Sequence, residues 1–420
     1  MRRTCAIVGL LLSAACSAPP VQAPAATTAV MFDGARVIVG DGSAPIENAV
    51  IVVDNGRFVQ VGRRSDVQVP TGATVVNLTG KTVMPAIVDT HTHMPTTREA
   101  LVERLQQKAY YGVGAVASLG QDTGDVAFQV RDETVPNGAM LRTAGRGITM
   151  PEKGRTEAPY WVTTEAEARK AVQELAARKV DFVKIWVDDR DGKYKKLGPD
   201  LYGAIIDEAH KNGLRVTAHI FTLEDAKGLL RAGLDAFAHS VRDRDIDEEG
   251  LALFKQHAHL VVAPNLPDRG VKTDLSWLSD SISADELKKL QEGATDRPDA
   301  QKAYGIQARN LAKIHAAGVK IVLGTDGGVP WSHHVEMEDM VAAGMTSSDV
   351  IVAATKNAAE FLRLNDAGTI AAGKRADFIV LDANPIDDIT NTRKISGVYL
   401  RGAAIDRAAI RNRMSGRAAN

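Results

Sequence analysis

Two histidines one residue apart, His91 and His93, follow an apolar run, and Lys184, His219 and His239 sit inside or at the end of β-branched stretches further along. Asp326 closes the stretch Leu323-Gly324-Thr325-Asp326 in the same way. Ionisable side chains in such surroundings are costly to desolvate unless they are paired, hydrogen-bonded or bound to metal. Residues i and i+2 of a strand face the same side, so both imidazoles of His91-Thr92-His93 can reach one metal ion. The same spacing occurs in His257-Ala258-His259, so the pattern alone decides little. Singly, each group also has an ordinary role: a hydrogen-bonded core histidine, a lysine whose head reaches water, an aspartate capping a turn. The chain's two cysteines, Cys5 and Cys16, both lie in the first 16 residues. No thiolate site is therefore available to the body of the protein, and a metal there takes His, Asp, Glu or Lys.

The elements that must position these groups fall into two styles. From Ala29 to Gly80 short alternating runs (35–39, 49–53, 58–61) are separated by the turn signals Gly40-Asp41-Gly42 and Asp54-Asn55-Gly56. The far end repeats that style at 376–381 and 397–400. Both ends together are expected to build one small β domain, a β-sandwich formed by residues 29–82 and 366–412.

Residues 83–365 alternate β-branched runs with helical periodicity. The expected strands are Val83–Thr90, Ala115–Leu119, Ala139–Ala144, Phe182–Trp186, Val216–Ile220, Ala236–His239, Leu260–Pro264 and Ile321–Thr325. Helical patterns such as Glu165–Lys179 and Pro199–Asn212 lie between them, the second stopped by Gly213. Eight strands with helical crossovers predict an α/β fold of the (β/α)8 TIM-barrel type, with an open doubly wound sheet as the rival. In a barrel, sites form at the C-terminal ends of strands. His91, His93, Lys184, His219, His239 and Asp326 all satisfy that rule, whereas His257 and His259 precede their strand and read as structural. His210 and His315, on helices leading into strands, read the same way. The long connection Leu266–Asp299 reads equally well as an active-site lid or a surface insertion.

This ordered set resembles the metal-dependent amidohydrolase superfamily, and within it the imidazolonepropionase/prolidase-like group. The resemblance is carried by Thr82-Val83-Met84-Pro85-Ala86-Ile87-Val88-Asp89-Thr90-His91-Thr92-His93, Lys184, His219, His239, Gly324-Thr325-Asp326 and the run Gly368-Thr369-Ile370-Ala371-Ala372-Gly373-Lys374-Arg375-Ala376-Asp377. Ala86 stands where the family usually has Gly. The resemblance implies two divalent ions, zinc foremost, with His91, His93 and Asp326 on one and His219 and His239 on the other. Lys184, carboxylated by carbon dioxide, would bridge them, since a carbamate is an anionic oxygen ligand and an ammonium is not. A water between the ions would be the nucleophile, and Asp326 would act as general base and then acid.

Substrate contacts are sought among Trp186, two residues after Lys184 and on its side of the strand, Trp331, His333 and His334 after Asp326, and an arginine near the third strand. Arg146 is the arginine chosen, with Arg142 and Arg155 flanking it. Dipeptidases of the group carry a substrate-contacting His after that strand, and the segment Gly145–Gly154 here has none.

Composition sets the outer limits. With 420 residues, 45% hydrophobic and 25% charged, the chain is of ordinary globular type. Lys and Arg total 51 against 52 Asp and Glu, which offers no attraction to nucleic acid. Arg2 and Arg3 before the apolar run Ala6–Ala15 read as an export signal over 1–16, followed by a Pro- and Ala-rich tether at 17–28. Leu12-Ser13-Ala14-Ala15-Cys16 resembles a lipoprotein lipobox, which would make Cys16 the only link to a membrane and the location periplasmic or membrane-anchored. A plain secretory signal is the alternative. The expected activity is hydrolysis of an amide in a dipeptide, N-acyl amino acid or similar small carboxamide. The other readings are hydrolysis of a cyclic amide, lactone, carbamate or phosphoester, and a silent binding lipoprotein of this fold.

Overall fold

The structure is a computed structural model that describes residues 28–416. The export segment 1–16, residues 17–27 of the tether, Cys5 and Cys16 lie outside the described residues. The chain opens with β1 (Val30–Val37), β2 (Ile46–Asp54) and β3 (Arg57–Arg63), paired antiparallel in that order. Asn55 and Gly56 join β2 to β3 with φ of 47° and 73°, and a tight hairpin turn of this hand needs positive φ at both central residues. β4 (Thr74–Asn77) and β5 (Thr82–Pro85) lie parallel to β1 along its other edge.

The first expected strand of the barrel is divided in two by the structure. β5 belongs to the terminal sheet, and β6 (Ile87–Thr92) starts a separate sheet. Ala86 is the hinge between them, its N–H donating to Asp377 O at 3.0 Å. Its methyl group occupies the space above Gly114, where a Cβ would lie 2.9 Å from it, so the alanine at this position is matched by a glycine facing it.

Beyond β6 strands and helices alternate. β6 pairs in parallel with β7 (Val113–Ser118), and β7 with β8 (Met140–Thr143). The short strands β9 (Ile148–Thr149) and β10 (Tyr160–Trp161) lead to the helix Glu165–Ala177, which Thr164 and Glu167 cap reciprocally. β11 (Val183–Val187), β12 (Val216–Ile220), β13 (Ala236–Phe237), β14 (Val261–Val262) and β15 (Lys320–Ile321) complete a parallel seven-stranded sheet in the order β10-β9-β11-β12-β13-β14-β15. Backbone hydrogen bonds also join the two sheets. Thr90 N donates to Leu323 O at 2.9 Å on one flank, and Asp181 N to Thr143 O at 3.0 Å on the other.

The late strands are shorter than their β-branched runs suggest, because their ends turn toward the interior. Beyond β15 both Thr325 N and Asp326 N donate to His91 O, at 3.1 and 2.8 Å, and Asp326 takes a left-handed φ of 48°. β14 is followed by Pro264, which cannot donate to a ladder.

The chain returns to the terminal sheet through β16 (Phe378–Leu381), antiparallel to β5, then β17 (Ile395–Leu400) and β18 (Ala403–Ala404). One eight-stranded sheet is thus built from both ends of the chain. Its period-two alternation sorts β2 between two apolar clusters: Ala49, Ile51 and Val53 join Phe32, Phe58 and Phe378, while Val50 and Val52 join Ala29 and Met31 on the other face.

A buried ion pair lies under the first strand. Lys108 Nζ donates to Asp89 Oδ2 at 2.9 Å with both side chains sealed from water, and Thr325 Oγ1 donates to the same oxygen at 2.9 Å. Removing one member would strand the other charge, a loss of about 3–5 kcal/mol. The pair therefore ties the helix Arg98–Tyr110 and the residue before Asp326 to the strand that bears His91.

Candidate metal centre

The groups singled out by strand-end position converge. His91 Nε2 and His93 Nε2 lie 3.3 and 2.9 Å from Asp326 Oδ1, and His239 Nε2 lies 3.6 Å from Asp326 Oδ2. The His219 and His239 rings meet edge to face at 4.4 Å between centroids, and His91 and His239 at 5.1 Å. His91, His239 and Asp326 offer ligand atoms within 4.8 Å of one another. Lys184, on β11, is wholly buried.

Several polar atoms here have no hydrogen-bond partner among the described residues: His91 Nε2, His93 Nδ1, both nitrogens of His239 and Lys184 Nζ. Each buried unsatisfied group costs about 1–3 kcal/mol, so a cluster of them is the signature of a site built for something the protein chain does not itself supply. Imidazoles with one carboxylate form a donor set suited to a divalent transition metal. Protonation states agree with that use. Burial pushes His91 and His239 well below the ordinary imidazole value and His219 down to about 3, leaving neutral rings with lone pairs. His91 Nδ1 lies 3.1 Å from Ala238 O and 2.6 Å from Asn265 Nδ2, and the tautomer that donates to Ala238 O leaves the Nε2 lone pair available to a metal. Burial works against ionisation of Asp326, but His91, His93 and Lys184 outweigh it and hold the carboxyl below its usual range. Burial lowers Lys184 to about 7.

Around these candidate ligands lies a second set of groups that spacing arguments passed over. Asp188 Oδ2 sits 2.8 Å from His219 Nε2, and Arg190 clasps the same carboxylate while its Nε donates to Glu152 Oε1 at 3.1 Å. Burial raises Asp188, yet the bond from His219 and the charge of Arg190 outweigh it and lower the carboxyl. With Nε2 engaged by Asp188, His219 has Nδ1 free for a metal. The signal was present: Lys184, Trp186 and Asp188 follow one another at i, i+2 and i+4, the spacing that faces one side of a strand. Replacing Asp188 by Asn keeps the shape and removes the charge. Metal affinity, read by competition with a chelator, is expected to fall about 10–100-fold. Unchanged affinity would remove Asp188 from the site.

A cavity of about 470 Å³ opens on these residues, walled by His93, Glu152, Arg155, Trp186, His219 and Asp326 among others. The Trp186 indole fits because Gly147 and Gly120 lie against it: a Cβ on either would stand 2.1 or 2.5 Å from the ring. Four expected substrate contacts are placed elsewhere. Arg146 donates to Ala158 O at 2.6 Å and Pro159 O at 3.0 Å and stacks on Tyr160, so it shapes a loop behind the cavity wall. Trp331 is buried against Tyr111, with ring centroids 5.9 Å apart. His333 and His334 are sealed in the helix Ser332–Ala342, bonded to Tyr111 O at 2.9 Å and Thr392 Oγ1 at 3.0 Å. The loop after β15 is too short to bring them forward, because the helix begins six residues after Asp326 and turns both rings inward. Arg142 pairs with Asp181 at 3.4 Å, and Arg155 is the arginine of the three in the wall. His210 and His315 pair with Asp235 and Asp349, away from this cluster.

The 266–299 insertion contributes no residue to this cavity. It packs through Leu278 and Ile282 and walls its own cavity of about 710 Å³ with the helix Ser332–Ala342.

The amidohydrolase family profile matches residues 82–405. The imidazolonepropionase of Deinococcus radiodurans is 27% identical over 392 residues, covering 86% of this chain and 92% of its own length. A Bifidobacterium longum protein with a provisional prolidase assignment superposes with a TM-score of 0.74 at 25% identity, over 92% of this chain and 98% of its own. The structure of molinate hydrolase shares the fold at a TM-score of 0.73 and 22% identity, over 91% of this chain and 96% of its own. The fold is thus of the mixed α/β, TIM-barrel type found in these proteins. A match across most of the chain, with the strand-end histidines and aspartate gathered in one cavity, leads to one assignment: the chain belongs to the amidohydrolase family, in its imidazolonepropionase/prolidase-like group, and is a hydrolase of carbon–nitrogen bonds.

Proposed function

We propose that the protein is an exported, binuclear hydrolase of an amide bond in a dipeptide, N-acyl amino acid or related small carboxamide. The observation that carries this reading is the meeting of four histidines and Asp326 at one cavity, with the buried Lys184, which has no hydrogen-bond partner among the described residues, packed on the Trp186 ring of its wall. In this reading the middle sheets close into an eight-stranded ring and the terminal sheet folds over as a sandwich. Export and attachment through Cys16 rest on the N-terminal sequence. Relatives named for imidazolonepropionase and prolidase activity support an amide as the substrate class.

His91, His93 and Asp326 would hold one ion, zinc foremost, and His219 and His239 the other. Bound metal supplies Lewis acidity at the carbonyl and lowers the pKa of water to near neutrality. The chain's own residues do the rest. Burial lowers Lys184 to about 7, so half of its amine is neutral at that pH and most of it above. Its Nζ lone pair can attack the carbon of carbon dioxide: the N–C bond forms as one C=O π bond breaks with its electrons passing to oxygen, and Nζ gives up a proton to solvent, so that the neutral amine becomes an anionic oxygen ligand. Asp326, ionised and within reach of two imidazoles, takes the proton of the attacking water and returns it to the leaving nitrogen. Asp188 orients His219, and Trp186 shields one wall of the cavity from water.

Dipeptides, N-acyl amino acids, lactones and phosphotriesters offered in parallel to the zinc-loaded enzyme test the reading. A carboxylate-bearing amide is expected to be turned over with kcat/KM of about 10⁴ per molar per second or more. Turnover of lactones or phosphotriesters with no amide hydrolysed would reject it.

A further inference from the structure

Arg242 lies three residues past His239, and its backbone N–H donates to Phe221 O at 2.9 Å, joining the loop after β13 to the loop after β12. These two loops leave the strands that present His239 and His219, so the side chain starts beside two ligands of the site. Its charge bears on Lys184, His219 and His239, and those of Asp326 and Asp188 bear on it. Yet among the described residues the guanidinium has no ion pair, and its Nε is buried without a hydrogen-bond partner.

The other arginines of the region are engaged. Arg190 holds Asp188 and Glu152, Arg155 holds Glu152, and Arg146 holds backbone carbonyls. Neither nearby carboxylate is open to Arg242: Asp188 is shared by His219 and Arg190, and Asp326 faces three imidazoles. A guanidinium stays charged even when burial disfavours it, and leaving it unmatched beside the site is costly. Its planar fork of donors matches a carboxylate.

We propose that Arg242 is the specificity residue of the site, taking the free carboxylate of a substrate whose scissile amide lies against His219, His239 and Asp326. This rests on the amide-hydrolase reading above and adds to it the residue that selects an anionic substrate. Arg190 is matched by Asp188 and Arg155 by Glu152, which leaves that task to Arg242.

The test compares an N-acetyl amino acid with the N-acetyl amino alcohol in which hydroxymethyl replaces the carboxylate, using the side chain best accepted in the substrate screen. The wild-type enzyme is expected to favour the acid about a hundredfold in kcat/KM. Arg242→Met should lose that preference mainly through KM, while keeping its metal content and its rate on the alcohol. Calorimetry with the free amino acid product should show binding weakened at least about tenfold, and Arg242→Lys should fall between. If Arg242→Met does not fold, Arg242→Lys carries the comparison, its preference for the acid reduced with metal retained. Equal loss on acid and alcohol, or loss of metal, would overturn the proposal by making Arg242 a support for the ligands. A wild-type enzyme that hydrolyses both equally would also overturn it while leaving amide hydrolysis intact. Hydrolysis of neither, nor of any other amide, would reject the broader function.

Discussion

Replacing Lys184 by alanine is expected to abolish hydrolysis, with kcat reduced at least about a thousandfold, since the carbamate proposed there would supply an anionic ligand worth several kcal/mol of charge stabilisation. The side chain is sealed from water on β11, and its Nζ has no hydrogen-bond partner among the described residues. Nζ lies over the Trp186 ring, 5.3 Å from its centroid. A lysine kept merely for packing would be replaceable by methionine with little effect on rate. A lysine that becomes a carbamate would not, and its alanine variant should recover part of its activity when formate or acetate is added to occupy the vacated space. Full activity in Lys184→Ala would reject the bridging role.

Asp326→Asn should lower kcat about 10²–10⁴-fold, the range expected when a positioned proton carrier is lost. Asparagine is the informative replacement because of the backbone. Asp326 holds a left-handed φ of 48°, a conformation asparagine accepts far more readily than alanine, and its N–H bond to His91 O needs no side chain. Folding and the approach to His91 are thereby preserved while the charge is removed. The acid form of the carboxyl is strongly disfavoured in the wild type by His91, His93 and Lys184, so the carboxylate is present throughout the neutral range. A variant with the wild-type rate across that range would show that protons move by another route.

The parts of the site that sequence made readable are those where strand geometry is rigid. Period-two spacing places His91 beside His93, and strand-end position brings His219, His239 and Asp326 to one cavity. Asn55-Gly56 announces its hairpin because few other residues tolerate two positive φ values in succession. What sequence did not settle lies where side-chain direction depends on packing. Arg146 and Arg155 are nine residues apart with similar surroundings in sequence, and the fold of the 150–160 loop puts the second in the wall and the first behind it. His333 and His334 follow Asp326 closely, yet the helix they start turns inward. Asp89 and Lys108 are 19 residues apart, and no local pattern marks them as a buried pair. The hinge at Ala86 is hidden for a related reason. The run 83–88 is apolar throughout, and only pairing with β16 on one side and β7 on the other shows that it serves two sheets.

Zinc-loaded protein freed of excess metal and analysed by plasma mass spectrometry against protein concentration tests the central claim most directly. With four histidines and Asp326 around one cavity and Lys184 buried beside Trp186 in its wall, the proposed bridging carbamate predicts about two divalent ions per chain, falling together when Lys184 is replaced by alanine. One ion or none per chain in protein so prepared, unchanged by that replacement, would contradict the binuclear account.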